Sequence, residues 1–355
     1  MILCSCIYVA LWTAKRLGQA VIERFRVRLS KASACRVSAQ LGFTPQRPTG
    51  RAYGQRSEEQ KRWWKEAYPQ GGHLARQRRA RIFFGNEAEV RSELGKLTLP
   101  KGVRTKDLPP SVDLRAWCSP VEDQGALGSC TAHAGVGMIE YYERKSFGRH
   151  IDASRLFLYK ATRNLMKMRG DTGAYLRTTM GTMVLFGVPP EEYWPYSDDE
   201  KKFDREPPAF CYAFAQNYQT LKYFRHDPPG VKTEDVLTKV KTYLSKGHPA
   251  MFGFTVYNSI EEADQTGRIP FPSTKERIEG GHAVVAMGYD DGMKIKNQHS
   301  KIETKGALLI RNSWGKGWGD GGYGWLPYEY LRKGLAEDFW SILKKEWIDT
   351  GQFKE

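Results

Sequence analysis

The chain has 355 residues, 40% hydrophobic and 12% aromatic, enough for one large packed domain or two smaller ones. Its formal charge is +15, but residues 1–100 carry 19 Lys/Arg against 7 Asp/Glu (+12), whereas residues 101–355 carry 36 against 33 (+3). The basic character therefore belongs to an N-terminal extension, and no stretch approaches the roughly 20 apolar residues that a membrane-spanning helix needs.

Residues 1–14 are apolar but short, and Lys15 and Arg16 follow the apolar run instead of preceding it. That order argues against a secretory signal, and a start assigned too far upstream explains it as well. Leu17, Val21, Phe25 and Leu29 then recur every four positions, with Arg16, Arg24, Arg28 and Lys31 on other faces. This is the pattern of a basic amphipathic helix, suited to a membrane surface or to another domain. Residues 44–81 are rich in Gly, Pro, Gln and Arg and read as a linker or weakly structured arm. We expect residues 1–107 to form an extension that is a leader, a propeptide or a linker. Its charge allows a salt-dependent contact with nucleic acid, an anionic membrane or an acidic partner.

A compact part begins near Leu108 and runs to residue 347, leaving 348–355 as a tail. Helices are expected from Thr131 to about Lys145 and over Arg177–Phe186, the latter stopped by Gly187 and Pro189-Pro190. A third begins with Thr233 as N-cap and buries Val236, Leu237, Val240 and Leu244 before Gly247. After Pro249 the character changes to short β-rich runs at Ala250–Tyr257, Ala283–Tyr289, Ala307–Arg311 and Gly321–Leu326. Helices first and strands second suggest an α+β fold of two lobes with a cleft between them.

Three segments carry chemistry. In Asp123-Gln124-Gly125-Ala126-Leu127-Gly128-Ser129-Cys130, a glycine-containing loop runs into a helix that starts at the cysteine. A thiol there meets unpaired backbone N–H groups and the positive end of the helix dipole, which favour the reactive thiolate. Gly280-Gly281-His282-Ala283-Val284-Val285 places a histidine at the entry to a strand. Ile310-Arg311-Asn312-Ser313-Trp314-Gly315 places an asparagine at the exit of the next. Antiparallel pairing of those strands would bring the two side chains together, and an imidazole needs such a partner to fix its tautomer.

Taken in order, Asp-Gln-Gly-x-x-Gly-Ser-Cys, Gly-His-Ala-Val and Asn-Ser-Trp-Gly-x-x-Trp-Gly resemble the papain family of cysteine peptidases, over about Leu108 to Trp347. The 152 residues between Cys130 and His282 are close to the family range of roughly 130–150. The resemblance implies a papain-like two-lobed α+β fold, with a helical lobe carrying the cysteine and a β-barrel-like lobe carrying His and Asn. It implies Cys130 as nucleophile, His282 as general base, Asn312 as the group orienting it and Gln124 as an oxyanion-hole donor. It further implies that Trp314 shields the Asn–His bond, Trp318 lines the leaving-group side of the cleft, and Gly173 and Ala174 bind the substrate backbone. No metal or organic cofactor is implied, and the expected partners of a monomeric enzyme are peptide or protein substrates.

Two positions depart from many relatives. Leu127 stands where they carry a disulfide cysteine beside the active site, and Thr131 replaces a tryptophan, as in the prokaryotic branch of the family. Outside the extension only Cys118 and Cys211 remain to pair, and whether they do is open. Cysteine usage leans to a cytoplasmic rather than a secreted location without fixing the compartment. His133, one turn after Cys130, is expected to be a packing residue, because a base on the same helix would not face substrate across the cleft. Two other readings use the same residues differently: acyl transfer to an amine instead of water, or a cleft that holds peptides without cutting them.

Overall fold

The computed structural model describes residues 107–345. Contacts divide the chain into Met1–Lys96 and Leu97–Glu355, and all described residues belong to the second unit. The basic extension, its amphipathic segment and the tail 348–355 lie outside the described residues.

Helix α1 (Cys130–Phe147) is buried on almost every side from Thr131 to Tyr141. Its Ala-, Gly- and Met-rich first turns make that possible. A Cβ on Gly135 would stand 3.1 Å from Leu158, and one on Gly137 would stand 2.9 Å from Arg311. The helix ends at Gly148, which takes the left-handed cap conformation at φ 73°. Around it pack α2 (Arg155–Leu165), whose N-cap Ser154 accepts from Phe157 N at 3.1 Å, and α3 (Leu176–Leu185). The short α4 (Ala209–Ala215) completes the helical half.

The second half is an antiparallel sheet. Strands β2 (Thr220–Arg225), β3 (Ala250–Tyr257), β4 (Ile278–Lys296), β5 (Glu303–Arg311), β6 (Tyr323–Pro327) and β7 (Ala336–Lys345) lie in the order β2-β7-β3-β4-β5-β6. The three-residue β1 (Ser111–Asp113) pairs with β4 beside Gly288, where any Cβ would stand 2.1 Å from Val112 O. The period of two along β4 divides the core. Ala283, Val285 and Met287 face the helices of the first half, while Val284 and Ala286 face a second core with α5 (Thr233–Ser245) and α6 (Tyr328–Arg332).

The expected helices and strands appear within a few residues, with one shift of detail: Lys232, not Thr233, is the N-cap of α5, and no side chain caps it. Helices α2 and α4 and strands β1, β2 and β7 were not read from the sequence. Cys118 and Cys211 are both free thiols, so no disulfide links described residues. Among the described residues no helix is long and apolar enough to cross a membrane.

One buried cation joins the two halves. Arg311, at the end of β5, donates to the carbonyls of Ser119 (2.5 Å) and Pro120 (2.7 Å), to Ser119 Oγ (3.1 Å) and to the Tyr323 hydroxyl (3.2 Å). Ser119 Oγ in turn donates to buried Glu140 on α1 at 2.5 Å. Leaving buried carbonyls without donors costs roughly 1–3 kcal/mol each. Arg311→Met should therefore destabilise the domain by on the order of 3 kcal/mol and lower its Tm by about 6–12 °C. Calorimetry of the variant would show this, and a Tm within 2 °C of the parent would contradict it.

Candidate active site

Cys130 is the first residue of α1, and Ser129, its N-cap, leaves the helix end uncapped by its own side chain. The Ser129 hydroxyl is engaged elsewhere, 2.7 Å from the Tyr196 hydroxyl, which itself donates to Gln124 O at 2.7 Å. Burial pushes the Cys130 thiol up, and the backbone N–H groups of Ala283 on β4 and of Thr131 and Cys130 at the helix start act the other way by favouring its anion.

The pairing of β4 with β5 sets Val285 opposite Arg311. Three residues before the first of these is His282, and directly after the second is Asn312. Across this junction His282 Nε2 lies 2.7 Å from Asn312 Oδ1. Asn312 Oδ1 also accepts from Ser313 N at 2.8 Å, which fixes the oxygen of the amide toward the ring. Nε2 must then carry the proton, and Nδ1 keeps the lone pair. Burial pushes the imidazole down to about 4, opposed by the bond to Asn312. The Trp314 ring stacks on the imidazole at 4.7 Å and 24°, and the Trp318 ring meets Trp314 edge-on at 5.3 Å. Trp318 is buried and rests on Gly324, where a Cβ would meet its ring at 2.7 Å.

Gln124 is held at four points. Its backbone N donates to Ser313 O at 2.8 Å, its carbonyl accepts from Tyr196, Oε1 accepts from Ser313 Oγ at 2.6 Å, and Nε2 donates to Leu127 O at 2.7 Å. Asp123 pairs with Trp314 in the same antiparallel arrangement, and Gly315 N donates to Glu122 O at 3.1 Å. One Nε2 hydrogen of Gln124 is left for a ligand.

A 290 Å³ cavity brings these parts to one place. Gln124, Gly128, Cys130, Gly173, Ala174 and His282 all line it. Met166, Met168, Thr172, Tyr175 and Gly281 complete the wall. Trp314 and Trp318 stand behind the imidazole and are not among the lining residues. His133 is buried, with Nδ1 3.2 Å from Ser129 O and its ring edge-on to Tyr196 at 5.0 Å, so it packs within the helical half. Burial pushes its imidazole down to about 3. Among the described residues no cluster of His, Cys, Asp or Glu could hold a metal ion. Sequence reasoning passed over Ser313, though it sits inside the Asn-Ser-Trp run, and passed over Tyr196 and the two methionines, which carry no local motif.

A family model described as "Papain family cysteine protease" matches residues 108–338, and a second, "Winged helix-turn helix", matches residues 9–67. Xylellain, a cysteine protease from Xylella fastidiosa, is similar at 35% identity and TM-score 0.56, over 69% of this chain and 88% of that one. An uncharacterized peptidase C1-like protein of Acanthamoeba polyphaga mimivirus is 36% identical over 226 residues, 62% of this chain and 68% of that protein. Chymopapain from Carica papaya is 26% identical over 61% of this chain and 54% of its own length. The chain belongs to the papain family and is a cysteine peptidase with an α+β papain fold.

The Ser313 hydroxyl contact with Gln124 leads to a test. Ser313→Ala removes one hydrogen bond worth about 1 kcal/mol and lets the amide turn. Turnover of a peptide substrate should fall about fivefold with KM nearly unchanged. The same change in a Gln124→Ala background should add almost nothing; a full fivefold loss there would contradict the contact's role.

Proposed function

We propose that the chain hydrolyses peptide bonds through a thioester acyl-enzyme, with Cys130 as nucleophile, His282 as base and then acid, Asn312 as the group that aims the imidazole, and Gln124 as an oxyanion donor. The observation that carries this reading is the Nε2···Oδ1 contact of 2.7 Å between His282 and Asn312, on a histidine that shares one cavity with the cysteine. With Nε2 committed to Asn312, only Nδ1 is free to take the thiol proton.

The sulfur attacks the scissile carbonyl carbon, its proton passes to His282 Nδ1, and the carbonyl π electrons move onto oxygen. That oxyanion accepts hydrogen bonds from the free Nε2 hydrogen of Gln124 and from the N–H of Cys130. Collapse expels the amine, which leaves with the proton from His282, and a thioester remains on Cys130. Water, deprotonated by the same nitrogen, attacks the thioester and releases the acid and the thiol. Burial opposes an isolated thiolate and an isolated imidazolium alike. Moving one proton from sulfur to nitrogen creates both charges side by side, so each is the other's counterion. Trp314 serves this step by keeping water from the Asn312–His282 bond, with Trp318 edge-on behind it on the leaving-group side, and Gly173 and Ala174 offer backbone groups to an extended substrate.

An irreversible thiol-directed peptidase inhibitor should add one label per chain, on Cys130, with Cys118 and Cys211 untouched; Cys130→Ser should neither label nor turn over peptides. Gln124→Ala should cost about 100- to 1000-fold in kcat. Label on another cysteine, or a Gln124→Ala variant within threefold of the parent, would overturn the assignment.

A second reading concerns the first hundred residues, and the winged helix-turn-helix match over residues 9–67 with the local charge excess of +12 favours it. There we propose a salt-dependent contact with duplex DNA. The full chain should bind a DNA duplex with affinity falling steeply between 50 and 200 mM salt, on the order of 100-fold or more. Replacing Arg24, Arg26 and Arg28 with Gln should flatten that slope and leave peptidase turnover unchanged. A slope indifferent to the three charges would contradict it.

A further inference from the structure

The loop ahead of the nucleophile has no covalent tie, since Leu127 replaces the cysteine that many relatives use there and no disulfide links described residues. A chain of hydrogen bonds spans the same gap. Gly128 N, two residues before Cys130, donates to both oxygens of the Asp171 carboxylate, at 3.0 and 3.1 Å. The Tyr159 hydroxyl donates to Asp171 Oδ1 at 2.5 Å and accepts from Gly173 N at 3.1 Å. Gly128 and Gly173, the two ends of this chain, both line the cavity that holds Cys130.

The middle of the chain is anchored. Tyr159 lies on α2 and is fully buried, with the Arg163 guanidinium 4.0 Å over its ring. The turn carrying Asp171 is held from the same helix. Gly170 N donates to Asp204 at 2.9 Å, Asp204 pairs with Lys160 and Arg163 at 2.8 Å each, and Arg163 also donates to Gly170 O. A Cβ at Gly128 would stand 3.2 Å from the Asp171 carboxylate, closer than ordinary van der Waals contact, so the acid leaves little room for a side chain on the loop at this point.

We propose that Asp171, working through Tyr159, is a positioning residue that fixes the Gly128–Cys130 loop against the Gly173 wall of the cleft. The inference rests on the reading of Cys130 as nucleophile. The negative charge of Asp171 acts against a Cys130 thiolate, so the acid does not serve by activating the sulfur electrostatically. Its value is geometric: two hydrogen-bond acceptors at a fixed place, joining nucleophile loop and substrate wall into one rigid unit.

The test compares Asp171→Ala, Asp171→Asn, Tyr159→Phe and the double variant Asp171→Ala/Tyr159→Phe in the full chain. Rates are normalised to active sites titrated with the irreversible thiol-directed inhibitor, so that a fraction of misfolded protein does not enter. Asp171→Ala should lose about 10- to 100-fold in kcat/KM per titrated site, through kcat and KM together, because a displacement near 1 Å costs that much. Asp171→Asn keeps an amide oxygen that can accept from Gly128 N and Tyr159, and should stay within about threefold of the parent. Adding Tyr159→Phe to Asp171→Ala should cost less than the product of the two single losses. Asp171→Ala within twofold of the parent in both constants, losses that multiply in the double variant, or Asp171→Asn as damaged as Asp171→Ala would overturn the proposal. In those cases the parent still labels on Cys130 and the peptidase assignment stands. A parent that fails to label on Cys130 would instead bring down that assignment and this inference with it.

Discussion

The site depends on one register, that of β4 against β5. Because Val285 pairs with Arg311, the chain leaving β5 passes Asn312 beside Val284, two residues from His282 on the same face of the neighbouring strand and within reach of its side chain. Strand side chains alternate in direction, so a slip of one residue would turn His282 or Asn312 to the opposite face of the sheet. The alternating burial of Ala283, Val284, Val285, Ala286 and Met287 between two separate cores makes such a slip expensive. The packing that holds the sheet is thus the same packing that aims the imidazole.

That register fixes only one wall of the cleft. The other is brought into line by the segment that precedes α1, which is sewn to the chain just after Asn312. Asp123 pairs with Trp314, and Gln124 exchanges backbone and side-chain bonds with Ser313. Arg311 reaches the same segment further upstream at Ser119 and Pro120. The five residues 311–315 therefore join the halves, bond to Gln124, hold the imidazole of His282 and cover it with an indole. This concentration explains why a run as short as Arg-Asn-Ser-Trp-Gly carries so much of the chemistry.

Much of this was legible in the sequence because local patterns coincide with tertiary roles. The run from Thr131 to Lys145 is helical by composition, and the strand at Ala250–Tyr257 appears with its expected bounds. The three motifs are read as one site since Gln124, Cys130 and His282 line a single cavity and Asn312 bonds to the histidine. What was not legible depends on contacts between distant segments. Strand β7 begins in a polar stretch and becomes a strand through its pairing with β2 and β3. Asp171 lies two residues before Gly173 and carries no motif of its own, and nothing near it in sequence announces Gly128 or Tyr159 as its partners. Helix α2 carried a usable signal that was passed over: Ser154 directly ahead of the apolar run Leu156, Phe157 and Leu158.

The contact between Asn312 Oδ1 and His282 requires the ring proton on Nε2, which leaves Nδ1 to meet the thiol. Nitrogen-15 NMR of the imidazoles in the full chain reads this directly. His282 Nε2 should carry a hydrogen-bonded proton in every protonation state of the site, and Asn312→Ala should abolish this preference. A His282 ring protonated on Nδ1 alone, or one averaging between tautomers like free histidine in the parent protein, would contradict it.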